Sequence, residues 1–316
     1  MTTPQINLNF IVSAPRSGST WLAQALNQHP QIFATEHRLF GDFYELWPNN
    51  NGNMAPRMTF DAYARSVSVH YFYDQNFNSR KEFTDQFILK YTQFLYDFAV
   101  QHSGKKIVVD KITPYPGTTK KVIKKIKQFF PTAKILHLIR DGRDVVTSGT
   151  FDWLMKDAKG TDRHQLFVEN QPICLPRFFD DEVVRKWTRI WKENISEIDP
   201  QSIDRIIRFE AMQEDFAEQL IDIFKVLNVD STTDVARICK EKVTFETQTG
   251  RESGKMIATA KKRRGVTGDW KKYFTKSDAE LFHTIAGEQL VEQNYVADEK
   301  WILECPDSLQ LTNATD

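Results

Sequence analysis

The fold of this chain is decided near its N-terminus by the stretch Asn9-Phe10-Ile11-Val12-Ser13-Ala14-Pro15-Arg16-Ser17-Gly18-Ser19-Thr20-Trp21-Leu22-Ala23-Gln24-Ala25-Leu26. Residues 9–14 form a short, largely apolar run typical of a buried strand, and residues 21–26 place their apolar side chains on one face of a helix. A tight turn joins the two. A strand that enters a helix through such a turn indicates an α/β unit, in which ligands bind at the carboxyl ends of parallel strands.

The joining segment, Pro15–Thr20 (hereafter the first loop), has the composition of an anion-binding site. Gly18 allows the backbone to approach a ligand closely, and the first N–H groups of the helix point toward that ligand. Ser17, Ser19 and Thr20 add hydroxyl donors, and Arg16 adds a charge suited to phosphate or sulfate. The loop is not a Walker A motif, since its cation precedes the glycine by two residues and no lysine follows. Taken alone, the segment has a second interpretation, an ordinary serine-capped helix start.

A second joint of the same kind follows in the middle of the chain. The apolar run 135–139 predicts a strand, and the charged segment after it enters a helix. Arg140 would then lie at the carboxyl edge of the same parallel sheet, with Ser148 two helical turns further on and able to face the same anion. The alternative is a surface turn in which Arg143 and Asp144 are solvated.

A third segment, Lys261-Lys262-Arg263-Arg264-Gly265-Val266-Thr267-Gly268-Asp269-Trp270-Lys271, places four cations beside two glycines. Such a flexible, strongly positive loop suits a terminal phosphate dianion. A basic surface patch or a nucleic-acid contact is the alternative interpretation.

Together these three segments resemble the cofactor-binding signature of sulfotransferases that use 3′-phosphoadenosine 5′-phosphosulfate (PAPS). The first loop with Trp21 is similar to the 5′-phosphosulfate loop of the family, and Arg140 with Ser148 is similar to its 3′-phosphate pair. Smaller similarities are Arg208-Phe209-Glu210, where the family has Arg-Tyr-Glu, and Val243-Thr244-Phe245, where its cytosolic branch has Thr-Ser-Phe. The resemblance runs from about residue 10 to residue 274. It implies a P-loop-like, three-layer α/β domain with a central parallel sheet flanked by helices.

The resemblance also implies which residues bind PAPS. Trp21 and Phe245 would stack on the adenine, although Phe245 could equally be a core residue. The implied donor-binding residues are Arg16, Ser17, Gly18, Ser19, Thr20, Trp21, Arg140, Ser148, Phe209, Phe245, Arg263, Arg264 and Gly265.

The resemblance assigns the catalytic residues less directly. Lys111 matches the lysine of the family, but Thr113 stands where the cytosolic branch has its catalytic histidine. Glu36 stands where tyrosylprotein and some bacterial carbohydrate sulfotransferases have a glutamate base, so it is the first candidate for that role. Asp110 is the second candidate, and its alternative role is a buried salt bridge that orients Lys111. Arg16 and Lys111 would neutralise the charge that develops on the departing phosphate, and no metal is needed.

The expected activity is therefore transfer of a sulfuryl group from PAPS to an acceptor hydroxyl, or less favourably an amine, on a small molecule, carbohydrate or peptide. A P-loop-like nucleotide kinase and a non-catalytic protein that binds 3′-phosphonucleotides are the two alternatives. The sequence does not predict the oligomeric state or the identity of the acceptor.

Composition agrees with an enzyme of this class. The chain has 316 residues, 41% of them hydrophobic, and its 42 Lys and Arg residues balance 42 Asp and Glu residues, which argues against a general nucleic-acid binder. Its three cysteines show neither disulfide nor metal spacing, and no signal peptide or apolar run of membrane length is evident, so a cytoplasmic protein without a membrane span is expected.

The sequence pattern predicts one domain over residues 1–305, followed by a polar tail at 306–316. Strands are predicted near 8–14, 106–110, 134–139 and 203–208, and helices near 19–28, 84–102, 117–129, 143–150, 181–197, 211–228 and 277–294. Residues 41–82 and 151–180 are expected to form walls of the acceptor site.

Overall fold

A computed structural model describes residues 7–36, 67, 69, 77–114, 116–156, 158–169, 177–252 and 265–309 of the chain, without the side chains of 77–81 and 166. Within these residues, five strands form one sheet. They are Leu8–Ser13 (β1), Ile32–Thr35 (β2), Ile107–Ile112 (β3), Ile135–Ile139 (β4) and Arg205–Arg208 (β5). Their order is β2-β3-β1-β4-β5, and every neighbouring pair is parallel. The predicted α/β fold with a central parallel sheet is confirmed.

Helices connect the strands and cover the sheet. They are Ser19–Asn27 (α1), Phe77–Ser103 (α2), Thr119–Phe129 (α3), Gly142–Lys156 (α4), Asp162–Val168 (α5), Asp181–Ser196 (α6), Phe209–Glu214 (α7), Phe216–Val226 (α8), Thr233–Glu241 (α9), Phe245–Thr249 (α10) and Lys276–Glu292 (α11). Short 3-10 helices lie at Pro200–Ser202, Asp269–Lys272 and Glu299–Glu304. No helix in the described ranges is both long and apolar enough to cross a bilayer.

Strand β1 shows why the sheet is buried on both faces. Successive side chains of a strand point to opposite faces. Ile11 packs with the core on the side of α1, α8 and α9, whereas Phe10 and Val12 pack with the core on the side of α2 and α3. All three side chains are fully buried, and each contributes about 1.5–3 kcal/mol of hydrophobic stabilisation. An apolar run without alternation is what such a two-sided strand requires.

The order of the strands places a ligand site at one edge of the sheet. The chain adds β2 and β3 on one side of β1 and then β4 and β5 on the other, so the order reverses beside β1. Open parallel sheets bind ligands outside the carboxyl ends of the strands at such a reversal. The first loop follows β1, Arg140 follows β4 and Glu36 follows β2, so the three lie at the same edge.

Several elements differ from the sequence-based prediction: helices α5, α9 and α10 were not expected, and α4 ends at Lys156 and not near residue 150. The single helix expected over 211–228 is divided into α7 and α8 at Asp215, whose φ of −140° is not helical and whose carboxylate accepts a hydrogen bond from the Glu218 N–H at 3.1 Å. An aspartate inside an amphipathic pattern therefore caps a new helix. Strand β2 was not expected, because its four residues are too few to show a strand pattern. Its pairing with β3 makes it a strand.

Candidate functional site

The first loop turns sharply between β1 and α1. Gly18 has a left-handed φ of 91° and is the N-cap of α1, where no side chain caps the helix. A methyl group at this position would meet the Phe209 ring at 2.5 Å, so the position requires glycine. Arg16 also has a positive φ, 69°, which costs a non-glycine residue about 1–2 kcal/mol. Such strain is typical of ligand-binding loops, and the first N–H groups of α1 have no partner inside the helix.

Three buried polar atoms at this edge of the sheet have no hydrogen-bond partner among the described residues. They are the hydroxyls of Ser13 and Ser17 and the Nε of Arg140. A buried polar group without a partner destabilises a protein by about 1–3 kcal/mol. Where several occur together, a polar ligand is the simplest partner for them. The residues present therefore fit an anionic ligand.

The remaining donors of Arg140 are engaged, which fixes the direction of its guanidinium. One terminal nitrogen donates to the backbone oxygen of Arg16 at 3.1 Å, and the other donates to the backbone oxygen of Val266 at 3.1 Å. The group also stacks over the Phe209 ring at 4.3 Å from its centroid. The Trp191 indole N–H donates to the backbone oxygen of Arg140 at 2.8 Å and so fixes the end of β4.

Arg16 lies against helix α4. Its Nε donates to the Ser148 hydroxyl at 3.1 Å, and a terminal nitrogen contacts an oxygen of Asp152 at 3.2 Å. Sequence reasoning placed Arg16 at one end of the donor and the pair of Arg140 and Ser148 at the other. In the structure the Arg16 side chain contacts the Ser148 side chain, and the Arg140 side chain contacts the Arg16 backbone. Asp152 was missed, and its spacing of four residues from Ser148 on the same helix was the available signal.

An aromatic cavity adjoins the first loop. The Trp21 indole N–H donates to the backbone oxygen of Val243 at 2.9 Å, and the Trp21 ring packs 4.2 Å from the Phe216 ring. The cavity has a volume of about 110 Å³ and is lined by Trp21, Met212, Gln213, Phe216, Lys240 and Thr244. Phe245 is half-buried and lies close to Gly265, since a methyl group added to Gly265 would lie 2.6 Å from the Phe245 ring. Both predicted adenine-binding rings thus keep part of their surface accessible.

The two candidate bases lie on opposite faces of the sheet. Lys111 pairs in register with Ile11 and points to the face of α1, where its Nζ contacts an oxygen of Glu36 at 2.7 Å. Asp110 pairs with Phe10 and points to the face of α2. There its fully buried carboxylate accepts a hydrogen bond from the Tyr96 hydroxyl at 2.8 Å.

Burial and nearby charges change the pKa of several groups around the site. Burial raises the pKa of Tyr96 well above its usual value, and the adjacent Asp110 carboxylate raises it further. Burial also raises the pKa of Asp144, against the opposing effect of the Arg140 charge. His137 is buried beside Asn194, and burial lowers its pKa to about 4. Tyr96 was missed by sequence reasoning, because no local pattern indicates that a residue of α2 contacts Asp110.

Some of the expected site residues lie outside the described residues. These are Arg263, Arg264 and most of residues 41–82. Most of the other expected acceptor wall, residues 151–180, is described, and Phe167, Phe178 and Phe179 in it are buried in the hydrophobic core. Gly265 is described and contacts Phe245. In the part of the chain that the structure describes, no three His, Cys, Asp or Glu side chains form a group that could hold a metal ion.

Three of the solved structures to which this chain is similar are sulfotransferases of low sequence identity. Among solved structures, the sulfotransferase domain of the Synechococcus PCC 7002 olefin synthase is 16% identical, with 90% of this chain and 97% of that chain covered and a TM-score of 0.49. A mouse sulfotransferase complexed with PAP is 15% identical, with 94% of this chain and 87% of that chain covered and a TM-score of 0.49. A sulfotransferase from Mycobacterium avium is 12% identical, with 92% of this chain and 77% of that chain covered and a TM-score of 0.49. No curated protein sequence matches the chain.

A sequence profile of the sulfotransferase family matches residues 9–234. This range is well over half of the chain. It contains the first loop, the Glu36–Lys111 pair, Arg140 and Ser148. The chain belongs to the sulfotransferase family.

Proposed function

We propose that this protein transfers the sulfuryl group of PAPS to an acceptor hydroxyl, or less favourably an amine, by in-line displacement with a carboxylate base. One observation carries the proposal. The Arg140 guanidinium donates to the backbone of the first loop at Arg16, the Arg16 guanidinium contacts Ser148, and the buried Ser17 hydroxyl in the same loop has no partner among the described residues. Positive charge, hydroxyl donors and backbone N–H groups together form a site for a phosphorylated anion, and the lysine of a Walker A motif is absent from it.

The donor-binding roles follow from position. Bound PAPS supplies a sulfuryl group on its 5′-phosphate and carries a second phosphate at the 3′ position. The backbone of the first loop would bind the 5′ end. Arg140 and Ser148 would bind the 3′-phosphate, and the Nε of Arg140, which has no partner among the described residues, is the donor available for it. Trp21 and Phe245 would hold the adenine between apolar surfaces. From the family resemblance, Arg263 and Arg264 are proposed as further 3′-phosphate ligands.

The chemical step would use the pair formed by Lys111 and Glu36. Lys111 is almost completely buried, so its charge acts in a weakly screened environment and stabilises negative charge that develops on the leaving phosphate. The Glu36 side chain is 32% exposed, so an acceptor hydroxyl can approach it and transfer a proton to its carboxylate. The ion pair between them holds both groups at the same edge of the sheet.

Asp110 fits a structural role better than that of the base. Its carboxylate is fully buried, accepts the Tyr96 hydrogen bond and lies on the face of the sheet opposite Lys111. An acceptor would have to enter the core beside α2 to reach it. These contacts support Glu36 as the proposed base.

The test is transfer of label from [35S]PAPS to a panel of phenols, alcohols, sugars and peptides, in parallel with transfer from [γ-32P]ATP, each with and without Mg²⁺. The proposal expects transfer from PAPS without a metal requirement and none from ATP. Arg16→Ala should be inactive, because it removes the loop cation and its contacts with Ser148 and Asp152. Transfer from ATP identifies a kinase. Tight binding of adenosine 3′,5′-bisphosphate without turnover of any acceptor identifies a non-catalytic binding protein.

A further inference from the structure

Asp144 occupies a position that the proposed roles above do not use. It lies in the first turn of α4 and is 1% exposed, so it is not the solvated surface residue that its sequence context allows. One carboxylate oxygen accepts a hydrogen bond from the Gly268 N–H at 2.9 Å, and the other accepts one from the Trp270 N–H at 3.0 Å. The oxygen that binds Gly268 also lies 3.5 Å from a terminal nitrogen of Arg140.

These contacts link Arg140 to the C-terminal turn, which we define as Val266–Trp270. Arg140 donates to the Val266 backbone oxygen at one end of this turn, and Asp144 accepts from Gly268 and Trp270 at the other. The guanidinium is therefore held between the first loop, the turn and the Asp144 carboxylate. Among the described residues, only its Nε lacks a partner.

From this geometry we infer that Asp144 is a positioning residue, which sets the preference of the site for a nucleotide with a 3′-phosphate by fixing the direction of Arg140. The inference rests on the proposed function. It also predicts the direction in which phosphate affinity changes when Asp144 is neutralised. A buried negative charge near Arg140 should by itself repel a phosphate, so neutralising Asp144 would strengthen phosphate binding if charge were all that mattered. If Asp144 acts by orienting Arg140, neutralising it weakens that binding.

The experiment is calorimetric titration of wild type and Asp144→Asn with adenosine 3′,5′-bisphosphate and with adenosine 5′-monophosphate. The ratio of the two affinities measures the contribution of the 3′-phosphate. We expect the ratio to fall by about 10-fold or more in the variant, the scale of one lost charge-assisted hydrogen bond, with monophosphate affinity nearly unchanged. An unchanged or increased ratio overturns the inference. Equal wild-type affinities for the two nucleotides instead refute the proposed donor.

Asp278 provides a matched control. It is a buried aspartate that accepts a hydrogen bond from a backbone N–H, that of Thr275 at 2.9 Å, and pairs with an arginine, Arg177. Asp278→Asn should leave the affinity ratio unchanged. An equal fall in this control would show that loss of a buried carboxylate is sufficient and would overturn the inference.

Two further variants complete the test. In an Arg140→Lys background, Asp144→Asn should change the ratio by less than about threefold, because its effect passes through Arg140. A full effect in that background overturns the inference. If Asp144→Asn does not fold, Gly268→Ala replaces it, because Gly268 has a left-handed φ of 70° and a side chain there strains the same turn. The ratio should fall at least threefold in this variant, and an unchanged ratio contradicts the inference.

Discussion

The two carboxylates beside Lys111 should respond to neutralisation in opposite ways. Asp110 is fully buried and accepts a charge-assisted hydrogen bond from Tyr96, so Asp110→Asn should lower the free energy of unfolding by about 1.5–3 kcal/mol. The Glu36 side chain is 32% exposed and so keeps part of its hydration, and a glutamine at this position still offers buried Lys111 an amide oxygen. Glu36→Gln should therefore change the free energy of unfolding by no more than about 1 kcal/mol.

Turnover should be affected more by Glu36→Gln than by Asp110→Asn, the reverse of the effect on stability. Removing a general base lowers kcat by about 10²–10⁴-fold, so Glu36→Gln should be nearly inactive. Its affinity for adenosine 3′,5′-bisphosphate should stay within about threefold of wild type, because the carboxylate is not among the residues proposed to bind the donor. Asp110→Asn should keep at least about a tenth of wild-type kcat, because its partner Tyr96 lies on the other face of the sheet.

The assay combines urea unfolding of each variant with sulfuryl transfer from PAPS to the best acceptor of the panel, at a temperature where both variants are folded. Glutamine and asparagine keep the size of the original side chains, so each serves as a control for the other. A folded Asp110→Asn protein without turnover, together with an active Glu36→Gln protein, would refute the assignment of the base.

Three other predictions concern the packing of Gly18, the binding of adenine by Trp21 and the pH dependence of stability caused by His137. Gly18→Ala places a methyl group 2.5 Å from the Phe209 ring at a backbone φ of 91°. The free energy of unfolding measured in urea should therefore fall by about 2–4 kcal/mol, and a variant as stable as wild type would contradict this close packing. Trp21→Ala should weaken binding of adenosine 3′,5′-bisphosphate and adenosine 5′-monophosphate by the same factor, about 10-fold in calorimetry, and unequal losses would argue against contact with the base. Burial lowers the pKa of His137 to about 4, so the unfolded chain takes up a proton between pH 6.5 and 4 that the folded protein does not. The free energy of unfolding should therefore fall by about 3 kcal/mol from pH 7 to pH 4, with most of this loss absent in His137→Asn, and an equal fall in both proteins would mean that other groups cause it.

Local sequence patterns predicted the parts of the site that lie next to one another in the chain. The turn at Gly18 and the start of α4 beside Arg140 were both expected from an apolar run followed by a turn that enters a helix. These features follow from the pattern of apolar, polar and turn residues over about ten to twenty neighbouring positions, and a single sequence shows that pattern directly. Strand β2 could not be predicted in this way, because its four residues become a strand only by pairing with β3.

The partners of the site residues required the tertiary structure. Tyr96 lies on a helix 14 residues before Asp110, and Gly268 lies 124 residues after Asp144. In both cases the two partners lie on different parts of the fold, so no helical or strand period links them and no local pattern indicates these contacts. The same limit explains why the sequence left open a surface turn with Asp144 solvated, whereas the structure buries that side chain.

The sequence by itself determined that this chain folds into a parallel α/β sheet with two strand-to-helix joints that bear arginine, because strand and helix periodicity and the chemistry of tight turns are properties of neighbouring residues. Only the tertiary structure decided that Glu36 and not Asp110 faces the same side of the sheet as Lys111. The physical reason is the alternation of side chains along β3, which sends Asp110 into the core beside Tyr96 and Lys111 toward Glu36 once the strand is paired.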